Sequence, residues 1–146
     1  MSKPESISLK QTHHIRDSCI CLHVQRAARV IARRFDDALR PFGLTNGQFS
    51  LIVSLNRPQP AGMSAVASLL AVDRTTLTAN LKPLERRGLL KISSDRRDRR
   101  NRTITLTAKG RALLKSAYPI WEATHAAQEA LLKTPDQLRS GLLALS

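Results

Sequence analysis

Apolar residues recur every three or four positions near the start of this chain, a spacing that places them on one face of a helix. Over residues 13–40 they are Ile20, Val24, Ala27, Ile31, Phe35 and Ala38 or Leu39. Because Pro41 and Gly43 follow at once, the pattern predicts one long helix that ends near residue 40. The polar residues before it predict a flexible N-terminal arm over residues 1–12.

Capping residues divide the rest of the chain into further helices. Thr45 and Gln48 have the spacing of a capping box, in which each side chain binds the backbone amide of the other residue. Three more helices have a serine, threonine or aspartate at their start, whose side-chain oxygen accepts a hydrogen bond from the first turn. These starts are Ser64, Asp73 and Thr107, and the last helix starts at Thr134 and Pro135.

Two short stretches, 89–93 and 103–107, alternate between apolar and polar positions and predict a β-hairpin. Two helices joined by a tight turn and followed by a hairpin are typical of a winged helix-turn-helix. The predicted fold is therefore mostly α with a small β-hairpin wing, in a single domain over residues 13–146. Residues 45–107 hold this motif, which is typical of DNA-binding proteins, and are predicted to be the DNA-binding part. Residues 13–44 and 108–146 are predicted to be dimerisation helices.

Positive charge is concentrated in the second helix of that motif and in the hairpin. The chain has 24 Lys and Arg against 11 Asp and Glu, which gives a net charge of +13. Residues 82–102 alone hold nine basic and three acidic side chains. Because a surface this basic usually meets phosphate, the sequence predicts double-stranded DNA as a partner.

Other classes of protein are excluded by what the sequence lacks. It has neither an apolar run long enough to span a membrane nor the apolar core of a signal peptide, so we expect a cytoplasmic protein. Its two cysteines do not have the spacing of a zinc site. The sequence brings together no nucleophile and base, phosphate loop or carboxylate pair. We therefore predict no enzyme activity, no cofactor and no metal.

Three motifs resemble the MarR family, the multiple-antibiotic-resistance-type transcription regulators of bacteria. The stretch 95–100 (DRRDRR) is similar to the Asp-x-Arg-Asp-x-Arg pattern of that family's wing. The stretches 73–78 (DRTTLT) and 84–90 (LERRGLL) resemble its recognition helix and the exit from it. The stretch 103–110 (TITLTAKG) resembles its second wing strand and the start of the long helix that follows.

The predicted fourth helix carries the candidate base-reading side chains, because a recognition helix points its first turns into the major groove. Arginine can bind the O6 and N7 atoms of guanine, threonine can contact thymine methyls, and asparagine can bind adenine. The candidates are Arg74, Thr75, Thr76, Thr78, Asn80 and Lys82. The simpler alternative is an ordinary solvated helix surface.

The arginine run at the hairpin tip is a second candidate contact. The run has five arginines in seven residues, which repel one another unless phosphates lie nearby: Arg96, Arg97, Arg99, Arg100 and Arg102. The resemblance implies that Arg100 enters a narrow minor groove, where the negative potential is strong. It also implies that Asp98 orients Arg100 and that Asp95 pairs with Arg97. The alternative is a solvated loop.

The resemblance further implies an effector pocket outside the DNA-binding part. This family binds small aromatic or anionic molecules in a cleft between the first and fifth helices. The candidates for that pocket are His23, Arg26, Trp121 and His125. The alternative for these side chains is helix packing and ordinary surface.

Cys21, with Cys19 beside it, has about the position of the oxidant-sensing thiol in one branch of the family. That branch also supplies tyrosines near the thiol, whereas this chain has Gln25 and Phe35 at those places. A thiol without such donors or a nearby cation keeps an ordinary reactivity. Cys21 is therefore a candidate redox site, and two buried structural thiols are the alternative.

Together these features predict a homodimeric transcription regulator, a repressor that binds a pseudo-palindromic operator and is released by a small-molecule effector. Two recognition helices in successive major grooves require a fixed separation, which small shifts in the dimer disturb. A non-specific nucleic-acid-binding or architectural protein would use the same basic surface. A thiol-based redox-sensing regulator, or a winged helix that binds protein instead of DNA, would use the same fold.

Overall fold

The computed structural model describes residues 6–94, 97 and 101–146, and these residues form helices and one small sheet. The helices are α1 (Leu9–Ser18), α2 (Ile20–Leu39), α3 (Asn46–Ser54), α4 (Met63–Leu69), α5 (Arg74–Arg86), α6 (Ala108–Glu129) and α7 (Pro135–Ala144). The strands are β1 (Ala61–Gly62), β2 (Leu90–Ser94) and β3 (Arg102–Leu106). The predicted fold, mostly α with a small hairpin wing, is confirmed. Within the described residues no helix has both the length and the apolar composition of a membrane span.

The predicted single helix over residues 13–40 is instead two helices that meet at Cys19. The backbone of Cys19 is extended (φ −68°, ψ 108°), so this residue ends α1 and serves as the N-cap of α2. Its sulfur accepts a hydrogen bond from the amide of Leu22 at 3.4 Å. Helix α1 begins at Leu9 after a capping box at Ser8. Residues 9–12 of the predicted arm are therefore helical, and residues 1–5 of it lie outside the described residues.

Most other helices start where their capping residues predict. The Thr45 hydroxyl accepts a hydrogen bond from the amide of Gln48 at 3.2 Å, and the Gln48 side chain accepts one from the amide of Thr45 at 3.1 Å. Asp73 caps α5 and Thr107 caps α6 with one hydrogen bond each, accepted by the side chain from the amides of Thr76 and Gly110. The exception is α4, which begins at Met63, before Ser64, and has Gly62 as its N-cap.

One apolar core holds α3, α4, α5 and the sheet together. Its most completely buried large side chains are Leu39, Leu51, Ile52, Leu55, Val66, Leu77, Leu81, Leu84, Leu89, Leu90 and Ile104. Burying one such side chain contributes about 1.5–3 kcal/mol, so this cluster is the main source of stability for the DNA-binding part. The predicted buried stripe of α5, formed by Leu77, Leu81 and Leu84, is confirmed.

The sheet has the strand order β1-β3-β2 and is antiparallel throughout. In the hairpin, Leu90 lies opposite Leu106 and Ile92 lies opposite Ile104. Strand β1, which the sequence does not predict, pairs Ala61 with Ile104 on the other side of β3. A strand of two residues is too short to show any apolar alternation.

Helix α6 starts in close contact with the exit from α5. The Thr107 hydroxyl donates to the carbonyl oxygen of Gly88 at 2.6 Å and accepts from the amide of Gly110 at 3.1 Å. A Cβ atom at Gly110 would lie 2.1 Å from the carbonyl oxygen of Leu89, a distance that no side chain can occupy. A glycine is therefore required where α6 crosses the end of the hairpin.

Apolar side chains remain exposed on the helices at both ends of the chain. Helices α1 and α7, both fully described, bury none of their own residues. Exposed large apolar side chains on the end helices include Leu9, Ile15, Ile20, Leu22, Val24, Ile31, Ile120, Leu138, Leu142 and Leu143. Helix α2 packs along α6, where Arg34 donates to the Gln128 side chain at 2.6 Å.

Candidate nucleic-acid interface

Helix α5 is held by one face and exposed on the other. Leu77, Leu81 and Leu84 are fully buried, whereas Thr75 and Lys82 lie on the opposite face and are exposed. The Asp73 carboxylate accepts hydrogen bonds from the amide of Thr76 at 2.7 Å and from its hydroxyl at 3.1 Å. These bonds hold the pKa of Asp73 below its usual range. The first turn of α5 is thereby fixed while its outer face stays open.

The predicted base-reading residues differ in their exposure and in whether their polar groups are already hydrogen-bonded within the protein. Arg74, Thr75, Asn80 and Lys82 are exposed, as a contact with DNA requires. The Thr78 side chain is half-buried, and its hydroxyl donates to the carbonyl oxygen of Arg74 at 2.8 Å. The hydroxyls of Thr76 and Thr78 are thus engaged at the start of α5, so the structure favours Arg74, Thr75, Asn80 and Lys82 as the candidates for reading bases.

The wing is described only in part. Its two strands pair as far as Ser94 opposite Arg102, and Arg97 beyond them is exposed. Glu85 anchors the wing to α5, because its carboxylate accepts a hydrogen bond from the amide of Ile92 at 3.0 Å. The other predicted wing residues, Asp95, Arg96, Asp98, Arg99 and Arg100, lie outside the described residues, and their roles stay predictions.

A groove runs between the base of the wing and the start of α5, and we call it the wing groove. Its volume is about 570 Å³, and it is lined by Gly62, Met63, Ser64, Ala65, Arg74, Ser94, Asn101, Arg102 and Thr103. Two arginines and several short polar side chains make this groove suitable for a phosphate. Sequence reasoning missed Ser64 and Asn101 as site residues, because only the fold brings them beside α5 and β3.

Arg87 has a different role from the one that its position in a basic run suggests. In the sequence, Arg86 and Arg87 are simply two of the nine basic residues of the stretch 82–102, for which DNA is the predicted partner. In the structure the Arg87 guanidinium donates to the carbonyl oxygens of Gly43 at 2.6 Å and Phe42 at 3.1 Å. Arg87 therefore joins the end of α5 to the turn between α2 and α3.

A second concave site lies away from the wing, between α3 and α6, and we call it the α3–α6 cavity. Its volume is about 610 Å³, and it is lined by Phe49, Ser50, Val53, Asn56, Arg111, Leu114, Lys115, Tyr118 and Trp121. The Trp121 ring stacks with those of Phe49, Tyr118 and His125, at 6.3, 5.9 and 4.9 Å between ring centroids. The cavity combines aromatic walls with the two cations Arg111 and Lys115 at one side.

Of the four predicted effector residues, the structure places two at the α3–α6 cavity and two elsewhere. Trp121 lines the α3–α6 cavity, and His125 stacks against it. Among the described residues, His23 and Arg26 are absent from the lining of that cavity. The His23 ring binds the carbonyl oxygen of Cys19 at 2.7 Å, and Arg26 lines a shallow groove along α2. His23 and Arg26 belong to α2, whereas the cavity lies between α3 and α6, an arrangement that periodicity alone does not show.

Neither cysteine is fully buried, contrary to the alternative that both are buried structural thiols. Cys19 is half-buried and Cys21 is exposed, and both are free thiols. Gln25, which stands where a tyrosine donor is expected, donates its side-chain amide to the Cys21 sulfur at 3.2 Å. The redox role of Cys21 stays a prediction.

Comparison with known proteins gives matches over most of the chain. The model of the MarR family matches residues 44–101, the stretch from Leu44 to the end of the wing. The HTH-type transcriptional regulator TtmR of Methylorubrum extorquens is 35% identical over 97 residues, which is 66% of this chain and 50% of TtmR. The chain thus spans about half the length of that curated relative.

Solved structures match over a larger share of the chain. The M. tuberculosis transcriptional regulator MosR, in complex with DNA, is 39% identical with a TM-score of 0.81, covering 88% of this chain and 93% of MosR. BpsR of Bordetella bronchiseptica, whose DNA binding is regulated by 6-hydroxynicotinic acid, is 26% identical with a TM-score of 0.74. That match covers 86% of this chain and 95% of BpsR.

Proposed function

We propose a function from one premise: this chain belongs to the MarR family. It acts as a homodimeric transcription regulator, a repressor that binds a pseudo-palindromic operator and leaves it when a small effector binds. The observation that carries this proposal is the exposed face of α5, which stands beside the wing groove. The complex of the related MosR with DNA supports it.

The α5 face can supply both kinds of contact that specific DNA binding needs. Thr75 and Lys82 project from the side opposite the buried stripe, so they can enter a major groove without disturbing the core. Arg102 lines the wing groove beside Arg74 and can hold a backbone phosphate there while Arg74 reads a base edge. Phosphate contacts set the position of the protein, and contacts with base edges then select the sequence.

The exposed apolar faces at both ends of the chain support a homodimer. Apolar surface of this extent is usually covered by a partner. Helices α1, α2, α6 and α7 all contribute to it, and they are the helices outside the DNA-binding part. A second copy of this chain is the occupant we propose, since an isologous pair places two α5 helices on one side of the molecule.

The α3–α6 cavity supports an aromatic anion as the effector. Its volume of about 610 Å³ lies in the usual range for small-molecule sites. Tyr118 and Trp121 can stack on an aromatic ring while Arg111 or Lys115 pairs with a carboxylate. The regulation of the related BpsR by 6-hydroxynicotinic acid, an aromatic acid, agrees with this chemistry.

Selection of a duplex from random DNA, followed by competition, tests the proposal. We expect the protein to bind the selected duplex about 1,000-fold or more tightly than a shuffled duplex of equal length. Arg74→Ala should weaken binding to the selected duplex by about 1–3 kcal/mol. Lys133→Ala is the control, because Lys133 lies beyond the far end of α6. Equal affinity for both duplexes would instead identify a non-specific architectural protein.

A further inference from the structure

Arg87 occupies the place where the recognition helix meets the rest of the chain. It is the C-cap residue of α5, and its guanidinium reaches 2.6 Å from the carbonyl oxygen of Gly43 and 3.1 Å from that of Phe42. Those two carbonyls belong to the turn that connects α2 with α3. A single side chain therefore spans from the end of the recognition helix to the end of a predicted dimerisation helix.

The turn is shaped to receive this guanidinium. Gly43 has a φ of +64°, a conformation that side-chain-bearing residues rarely adopt. A Cβ atom on Gly43 would lie 3.2 Å from Nη2 of Arg87, closer than ordinary packing allows. The planar fork of an arginine can donate to two carbonyls at once, whereas the ammonium group of a lysine is a compact point charge.

The same end of α5 is also attached to α6. The carbonyl oxygen of Arg87 accepts a hydrogen bond from Nζ of Lys109 at 2.7 Å. The carbonyl oxygen of Gly88 accepts one from the Thr107 hydroxyl at 2.6 Å. Helices α2 and α6 pack against each other and carry exposed apolar faces, so both attachments connect α5 to the proposed dimer frame.

We infer that Arg87 is a positioning residue that sets the angle of α5 relative to the dimer frame, and thereby the match of two α5 helices to an operator. This inference rests on the proposed function, since the angle matters only when two recognition helices read one duplex. Specific binding requires that both helices meet their half-sites together. Non-specific binding, which depends on total charge, does not require it.

Arg86 provides a matched control on the same turn of α5. It is exposed, and it makes no hydrogen bond or ion pair with any residue that the structure describes. Arg86 and Arg87 contribute equally to the charge of the chain. They differ in that Arg87 alone of the two holds the turn at Gly43.

The experiment compares Arg87→Lys, Arg87→Gln, Arg86→Lys and Arg86→Gln on the selected and shuffled duplexes over a series of salt concentrations. Arg87→Lys, which keeps the charge, should weaken specific binding about tenfold, as expected for a lost charge-assisted hydrogen bond. It should leave binding to the shuffled duplex and the salt dependence unchanged. Arg86→Gln should weaken binding to both duplexes and reduce the salt slope by about 1 if it meets a phosphate.

Hydrogen exchange of the free protein gives a readout that does not depend on DNA. The Gly43 amide, which donates to the carbonyl oxygen of Arg40 at 2.9 Å, should exchange faster in Arg87→Lys than in the wild type. Because Arg87 is exposed, thermal unfolding should show that the lysine variant keeps its core.

Two results would overturn the inference. One is a finding that Arg87→Lys binds the selected duplex as tightly as the wild type does and that its Gly43 amide exchanges at the wild-type rate. The other is a loss on both duplexes with a reduced salt slope in Arg87→Gln, which would make Arg87 a phosphate contact. A wild type that binds both duplexes equally would instead contradict the proposed function, and the inference would fall with it.

Discussion

At the scale of single residues, charged side chains that bind backbone atoms hold the DNA-binding part to the helices around it. The Asp36 carboxylate of α2 accepts hydrogen bonds from the amide of Asn46 at 2.7 Å and from its side-chain amide at 2.8 Å. These bonds hold the pKa of Asp36 below its usual range. Together with Arg87, Asp36 fixes the two sides of the turn between α2 and α3.

Asp36→Asn should lower the melting temperature by about 3 °C near neutral pH, since losing about 1 kcal/mol has an effect of this size in a chain of this length. The folded-state pKa is depressed, so the stabilisation is fully present above the unfolded-state pKa of about 3.9 and is lost as the pH falls through the folded value. Thermal unfolding of wild type and variant should therefore converge in acid.

Asp37→Asn is the control for that measurement. Asp37 pairs with Arg40 on the exposed surface, where ion pairs contribute little, and its removal should change the melting temperature by less than about 1 °C. A difference between wild type and Asp36→Asn that is the same in acid and at neutral pH would contradict the role of the ionised carboxylate.

At the scale of elements, the α3–α6 cavity lies next to the attachment of the wing. Arg111 lines the cavity and also donates to the carbonyl oxygen of Leu106, the last residue of β3, at 2.7 Å. An anion that draws the Arg111 guanidinium into the cavity would weaken this bond. The base of the wing would then lose one of its attachments to α6, and we propose this as the route by which an effector would act on the wing.

Aromatic carboxylates test whether the α3–α6 cavity binds an aromatic anion. Calorimetry with 6-hydroxynicotinate, 4-hydroxybenzoate and cinnamate should show binding by at least one acid and none by its uncharged methyl ester. Lys115→Met should weaken that binding by about tenfold, because a charge-assisted contact is lost. The bound acid should also weaken specific DNA binding. Equal affinity for acid and ester would show that the cations do not select the ligand.

At the scale of the whole molecule, the exposed apolar side chains of the terminal helices are the basis of the proposed homodimer. Leu138 and Leu142 of α7 are 45% and 41% exposed in the single chain, and α7 contributes no residue to the core. Arg139 attaches α7 to Glu129 of α6, so the exposed leucines are held in a fixed arrangement. A preformed apolar face loses little conformational freedom on association, which favours a stable homodimer.

The double variant Leu138→Glu, Leu142→Glu should shift the protein from dimer to monomer, since an unpaired charge in an apolar interface costs several kcal/mol. Sedimentation equilibrium measures this change, and specific DNA binding should fall with it. Leu69→Glu is the control, because Leu69 is 64% exposed but belongs to α4 in the DNA-binding part. An unchanged dimer in the double variant would place the interface elsewhere.

The sequence is sufficient for the parts of this fold that depend on local patterns. Asp73, Thr45 and Thr107 cap helices as predicted, and the alternation in the hairpin gives both of its strands. Local patterns fail where a contact joins distant segments. Arg87 looks like one more basic residue until Gly43, 44 positions away in sequence, is placed beside it. The α3–α6 cavity also needs the packing of two helices that lie far apart along the chain.

The stack around Trp121 gives the protein an intrinsic fluorescence probe. Trp121 is the only tryptophan of the chain, it forms a wall of the α3–α6 cavity, and its ring lies against those of Phe49 and His125. Indole fluorescence depends on the polarity and charge next to the ring. Ligand entry, or a shift of α3 against α6, therefore changes the emission of one known residue, and both can be followed in the unlabelled wild-type protein.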